Sequence, residues 1–170
     1  MMLDTLGEAE AAQTPELLLH GEQVGEDLSR EFVAGERVDR RDEVKELENK
    51  IIVITGAAGS IGSELARQVV HYKPRKVILI DQSETGIYEL QHHLKWAEPI
   101  SEIHYHIGDI TNEERMRNLL YMYHPQVIYH AAAYKHVPLM EGNPCEAVNC
   151  NVYGTKVMAD LAVSFKVEKF

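Results

Sequence analysis

Hydrophobic residues in the first 48 positions follow no period, and from Lys50 onward they fall into alternating strand-like and helix-like patterns. Ile51 to Thr55, after Lys50, is an unbroken β-branched run ending in glycine, the pattern of a strand buried on both faces. Ser60–His71 carries Ile61, Leu65, Gln68 and Val69 at helical spacing, with Pro74 just past its end. Lys76–Asp81 predicts a second buried strand, and Glu84–Trp96 sets Ile87, Leu90 and Leu94 on one helix face. In Ile103–Ile107 apolar residues alternate with His104 and His106, which predicts a half-exposed edge strand. Asn112 is placed to cap a helix running to Tyr123, with Glu113 and Glu114 in the first turn, where the dipole favours them. Gln126–His130 predicts a fourth strand. Cys145–Phe165 reads as one long helix with Val148, Val152, Val157, Leu161 and Phe165 near one face, and Lys166–Phe170 as the lead-in to a fifth strand.

Strands that alternate with helices imply right-handed βαβ units on a parallel sheet, hence the α/β class. The expected architecture is the first half of a Rossmann-like doubly wound sheet, strand order 3-2-1-4, stopping before or at strand 5. Residues 49–170 are accordingly expected to form one Rossmann-like domain, incomplete by itself. Residues 1–48, interrupted by Gly21, Gly25 and Gly35, are expected to form an extended or partly helical arm, with a short charged helix at Arg40–Glu48.

Charge separates the same two regions. Residues 1–48 hold 14 Asp or Glu against 5 Lys or Arg, and residues 49–170 hold 13 against 12, so the formal net charge of −10 sits almost entirely in the acidic arm. A near-neutral folded part with no basic stripe argues against a nucleic-acid partner. Cys145 and Cys150 are the only cysteines and read as reduced thiols of a cytoplasmic protein. No apolar run approaches the roughly 20 residues of a membrane span, and Leu17-Leu18-Leu19 is too short for a signal-peptide core.

The densest chemical signal is Thr55-Gly56-Ala57-Ala58-Gly59-Ser60-Ile61-Gly62, a glycine-spaced turn between the first strand and the first helix. Gly56 suits a tight turn, Gly59 lets the backbone approach a pyrophosphate, and Gly62 permits close helix–strand packing. Amides at the helix start, with the positive end of its dipole, hold the anion. A glycine-rich turn alone is weak evidence; the strand before, the helix after and an acid downstream make it a dinucleotide signature. That acid is Asp81, 19 residues past Gly62, placed to accept hydrogen bonds from a ribose hydroxyl. A carboxylate there repels a 2′-phosphate, and Gln82-Ser83-Glu84 brings no arginine, so NAD is expected over NADP. The candidate cofactor residues are thus Thr55, Gly56, Ala58, Gly59, Ser60, Ile61, Gly62, Asp81 and Gln82, with Asp109 and Ile110 at the adenine. Ala131, Ala132 and Ala133, after the fourth strand, are small enough to let a cofactor lie close. The competing roles are helix capping for Asp81, a turn or cap for Asp109, and simple close packing for the alanines.

Nine histidines raise the question of a metal, but His92–His93 and His104–His106 lack a carboxylate or cysteine cluster to complete a site, and none is expected. Proton transfer in a short-chain dehydrogenase needs a Tyr or equivalent, with a lysine four residues on along one helix face. Tyr72 and Lys76 have that spacing but Pro74 divides them, and Tyr153 and Lys156 are three apart. No catalytic residue is therefore expected within the chain.

ITGAAGSIGSELARQ, LIDQSE, GDI and HAAAYKHVPLMEGNPCEAVNCNVYGT resemble the bacterial nucleotide-sugar 4,6-dehydratases over residues 50–170. These are extended short-chain dehydrogenase/reductases of the UDP-N-acetylglucosamine 4,6-dehydratase kind, working in capsule, O-antigen or glycoprotein-glycan biosynthesis. The resemblance implies a UDP-N-acetylhexosamine substrate and a redox-neutral lyase reaction, in which NAD takes hydride from C4, water leaves across C5–C6 and hydride returns to C6. It assigns Gly56, Gly59, Ser60, Ile61 and Asp81 to the dinucleotide, Asp109 and Ile110 to adenine, and Ala131 to Ala133 to a strip along the cofactor. Lys135 would face the sugar nucleotide or the nicotinamide ribose, and Asn151 is counted with it on the substrate side. Asn149 and Asn151 resemble asparagines of a helix behind the active site, where an amide bonds the end of the fourth strand. Solvent exposure for Lys135, and capping or exposure for the asparagines, are the competing roles.

The family's Thr-Asp-Lys segment and sugar-binding region would lie beyond Phe170. The chain is thus expected to be inactive alone, its fourth strand a bare edge, with a homo-oligomer compatible. Two other readings stay open: a nucleotide-sugar epimerase using the same cofactor half, and a dinucleotide-binding module without chemistry.

Overall fold

The computed structural model describes residues 46–95 and 101–170. The expected arm lies outside the described residues apart from Glu46, Leu47 and Glu48, and so does Trp96.

Four strands, β1 (Ile51–Thr55), β2 (Lys76–Asp81), β3 (Glu102–Ile107) and β4 (Val127–His130), form one parallel sheet in the order β3-β2-β1-β4. This is the Rossmann-like order that the sequence predicts. Helices α1 (Ser60–Val69), α2 (Glu84–Lys95), α3 (Glu113–Tyr123), α4 (Val137–Gly142), α5 (Pro144–Ala147) and α6 (Thr155–Ser164) follow the strands. Side chains alternate across a strand, so each buried strand feeds two cores. Ile52, Ile54, Val77 and Leu79 pack with Ala66, Val69, Ile87, Leu90 and Leu94 of α1 and α2 on one face. Val53, Ile78, Ile80 and Ile128 pack with Met116, Leu119, Leu120, Val157, Met158 and Leu161 of α3 and α6 on the other. Burying each of these large side chains contributes about 1.5–3 kcal/mol. β3 is the half-exposed edge, and Asn112 Oδ1 caps α3 by accepting the Arg115 N–H at 3.0 Å.

Three expectations change. In α1 the buried face is Gly62, Ala66 and Val69, while Ile61 is exposed; small residues turn inward because the helix lies close against β1. The long helix is also divided. A π-helix (Val148–Gly154) joins α5 to α6, and its wider turn breaks the 3.6-residue period. Val148 and Val152 therefore point to solvent, while Val157 and Leu161 are buried. Finally, β4 is not bare at its start. Ile128 N–H donates to the Lys169 carbonyl at 2.9 Å, and the Glu168 and Lys169 amides donate to Gln126, so Lys169 bridges in parallel to Val127. The lead-in to a fifth strand is present, with Lys50 paired to Glu168 beside it.

Register brings Thr55 beside Ile80 and His130, and Asp81 beside Ile107, so all four strands end at one level.

Candidate functional site

With β1 between β2 and β4, the connection leaving β1 passes to one face and that leaving β4 to the other, and a crevice opens between them. It is a cleft of about 260 Å³ walled by the glycine loop, by Asp81 to Ser83, by Gly108 to Ile110, and by Ala131 to Tyr134 with Cys150.

The glycine loop is shaped by sterics. Gly56 has φ +65°, and a Cβ there would lie 2.5 Å from the Ala132 nitrogen. A Cβ on Gly62 would lie 2.0 Å from the Gly56 oxygen, so α1 can start this close to β1 only without one. Gly59 differs: its nearest contact would be the Gly56 oxygen at 3.3 Å, and its backbone is ordinary extended chain. Among the described residues nothing packs on its open side, and Gly59 lines the cleft. The amides of Ser60, Ile61 and Gly62 sit in the first turn of α1, where no carbonyl one turn back can receive them.

Asp81 lines the cleft beside the glycine loop. Its Oδ2 accepts the Ala58 N–H at 3.0 Å and its Oδ1 the Ser83 N–H at 2.9 Å. The cap of α2 is Ser83, whose Oγ accepts the Gly86 N–H at 3.1 Å. Each Asp81 oxygen keeps a further acceptor site. Asp109 also forms a turn, with Oδ1 accepting the Thr111 N–H at 2.8 Å, while remaining on the cleft wall. Ile110 is buried by side chain, against the bare face of Gly154.

Thr55 requires a correction. It is fully buried and absent from the cleft wall, and its Oγ1 pairs with His130 Nδ1 at 2.7 Å. His130 Nε2 reaches Thr155 Oγ1 at 3.0 Å, and the ring stacks on Phe170. This chain ties β1, β4 and α6 together behind the cleft; burial pushes the His130 imidazole below its ordinary pKa. Thr55 supports the site from the rear.

On the β4 side, Lys135 is exposed, as its competing role had it, and its Nζ donates to Ser60 Oγ at 2.6 Å, which sets an ammonium over the first turn of α1. Asn151 spans the backbone of Tyr134, accepting its N–H at 2.8 Å and donating to its carbonyl at 2.9 Å. Most of that amide is thus spent on the loop after β4, and Asn149 is exposed. Burial and the nearby Asp109 charge hold the Cys150 thiol in its protonated form by raising its pKa. Tyr134, which the sequence pattern does not single out, lines the cleft, and its hydroxyl accepts from Gln82 Nε2 at 3.2 Å. Only a long-range contact reveals it, and no local spacing encodes one.

Neither tyrosine–lysine pair lies in the cleft. Lys76 pairs with Glu102 at the opposite end of the sheet, and Lys156 with Asp160 at 2.5 Å. The His104 and His106 rings stack 6.5 Å apart and His106 Nε2 contacts the Tyr123 hydroxyl at 2.8 Å. Among the described residues no three His, Cys, Asp or Glu side chains gather as a metal site, and no helix is long and apolar enough to cross a membrane.

Residues 52–170 match the polysaccharide biosynthesis protein family. The capsular polysaccharide biosynthesis protein CapD of Staphylococcus aureus is 44% identical over 128 residues, 74% of this chain and 21% of its own length. The inverting UDP-N-acetylglucosamine 4,6-dehydratase of Campylobacter jejuni (strain 81-176) is 32% identical over 71% of this chain and 34% of its own. The chain thus spans between a fifth and about a third of these relatives. Among solved structures, Pen from Bacillus thuringiensis superposes with a TM-score of 0.65 at 33% identity, over 71% of this chain and 36% of that one. The Bordetella bronchiseptica enzyme WbmG, in complex with NAD and UDP, gives 0.56 at 25%, over 68% and 34%. This chain belongs to the polysaccharide biosynthesis protein family, and its Rossmann-like sheet is the part it shares with nucleotide-sugar dehydratases and their relatives.

Proposed function

We propose that residues 49–170 hold NAD as the cofactor-binding half of a cytoplasmic nucleotide-sugar 4,6-dehydratase acting on a UDP-N-acetylhexosamine in polysaccharide biosynthesis. The observation that carries this reading is one cleft that brings together the open face of Gly59, at the start of α1, and the Asp81 carboxylate. The first suits a diphosphate, the second a ribose diol, and the alanine strip leaves room between them. The Lys135 ammonium, already on Ser60, adds a cation where a diphosphate would lie. Asp81, with its remaining acceptor sites, favours a free 2′-hydroxyl over a 2′-phosphate. Bound NAD supplies a reversible hydride acceptor, so hydride lost at sugar C4 can return at C6 after water has left across C5–C6. Similarity to the Campylobacter jejuni dehydratase supports the substrate class, and that to WbmG, with its NAD and UDP, supports the cofactor.

Thermal unfolding of the purified chain with each cofactor tests the reading. NAD at about 100 times its Kd is expected to stabilise by about 2.7 kcal/mol, and NADP at the same concentration by far less. A shift with NADP alone would overturn the role of Asp81. For the chemistry, the whole protein should turn UDP-N-acetylglucosamine into a 4-keto-6-deoxy product; a 4-epimer would make it an epimerase, and no turnover a binding module.

A further inference from the structure

We propose that Tyr134 is a further cofactor-holding residue, its hydroxyl tying Gln82 across the mouth of the cleft and setting how long the dinucleotide stays. This rests on the dinucleotide reading of the same cleft. Gln82 directly follows Asp81 at the end of β2, and Tyr134 follows the alanine strip at the end of β4. β1 lies between those two strands, so the Gln82–Tyr134 bond at 3.2 Å joins the two flanking loops, both on the cleft wall. A dinucleotide laid from Asp81 to the start of α1 would run beneath it.

The tyrosine is held for this role. Asn151 binds both polar groups of its backbone, so the loop cannot roll away without breaking two hydrogen bonds. Asn151 reaches them from the π-helix, a distortion that proteins tend to keep at functional sites. The next residue, Lys135, anchors the same loop to Ser60 on the far side of the glycine turn. Tyr134 is exposed and forms part of the cleft wall. A cofactor regenerated within each turnover has no need to leave, so slow release carries no penalty in rate.

The test is stopped-flow displacement of a fluorescent etheno-NAD from the whole chain by excess NAD, comparing Tyr134→Phe, Gln82→Ala and the double variant. Tyr134→Phe keeps the ring and removes only the hydroxyl. Each single variant is expected to speed release about 3- to 10-fold, the worth of one hydrogen bond, with association changed by less than about 2-fold. The double variant is expected to release no faster than the faster single, because both remove one shared contact. Asn151→Ala is expected to speed release without altering either partner. Unchanged release in both single variants, or fully multiplicative effects in the double, would overturn the tie and leave the dinucleotide reading standing. Failure of the unmodified chain to bind etheno-NAD or NAD would overturn both.

Discussion

The two walls of the cleft are built on opposite principles. Behind the β1 side, Thr55, Ala57 and Ala66 have no exposure, and Gly56 and Gly62 stand where an added carbon would meet backbone at 2.5 and 2.0 Å. On the β4 side, α4 and α5 bury no residue, and Val137, Leu139, Val148 and Val152 are exposed. That wall is held by directed polar contacts: His130 between Thr55 and Thr155, Asn151 across Tyr134, Lys135 on Ser60. A close-packed wall has one arrangement and resists any added volume. A wall held by a few hydrogen bonds can shift for about 1 kcal/mol per bond. The first suits an invariant grip on a diphosphate, the second a surface that adjusts when a ligand enters.

Gly62→Ala should separate the walls most sharply. Its new methyl would fall on the Gly56 carbonyl and on Ala57, which are backbone and cannot step aside. Urea unfolding is expected to show a loss of about 3 kcal/mol or more. Gly56→Ala adds left-handed strain of roughly 1–2 kcal/mol to its clash with Ala131 and Ala132. A loss below about 1 kcal/mol for Gly62→Ala would show that the β1 wall can give, and the contrast would disappear.

Asn151→Leu attacks the other wall with similar side-chain volume. It removes both bonds to Tyr134 and is expected to cost about 1–2 kcal/mol, since the freed backbone groups are near enough to water to be resolvated. Amide exchange should localise the damage: faster at Tyr134 and unchanged in β1. Exchange that rises equally in β1 would mean that the walls are coupled.

His130 joins the two walls and makes the β4 side pH-dependent. Burial lowers its pKa in the folded state, so the unfolded chain takes up the proton first. The stability it supports is complete above the ordinary imidazole value, roughly 6.5, and is lost as pH falls toward the lowered folded value. Between pH 7 and 5 the urea midpoint should drop further in the wild type than in His130→Gln, whose amide can still bond both threonines. His106, also lowered by burial, titrates in both proteins and cancels. Equal drops would free His130 from this role.

The same contrast explains how much was legible in the sequence. Steric and periodic signals are local. The β-branched run of β1, the 3.6-residue spacing of Ile87, Leu90 and Leu94, and the glycine spacing of the loop after β1 each declare themselves within a dozen residues. Strand order followed from the βαβ rule. The β4 side depends on pairs distant in sequence: Thr55 with His130, Gln82 with Tyr134, Ser60 with Lys135. No periodicity encodes such pairs. The π-helix was illegible for a related reason, because a heptad-like row of valines continues across it while its wider turn rotates Val148 and Val152 outward. A threonine beside a glycine-rich turn suggests a ligand from sequence alone, whereas full burial and a histidine partner make Thr55 a strut.

Gly59→Ala has the smallest expected effect on stability and gives the most specific information about the cleft. The residue belongs to the packed wall by position but not by contact. Its φ of −73° and ψ of 168° suit any residue, and its added methyl would touch only the Gly56 oxygen, at 3.3 Å. The lost chain entropy of glycine in the unfolded state offsets that contact, so unfolding free energy should change by less than about 0.5 kcal/mol. NAD affinity, by contrast, is expected to fall by at least about 10-fold, because the methyl would stand where the backbone meets the diphosphate. A stability loss like that of Gly62→Ala would mean that the loop packs on itself at this point. Unchanged stability with unchanged affinity would mean that no phosphate passes Gly59, and the open face of this glycine would then have no ligand to account for it.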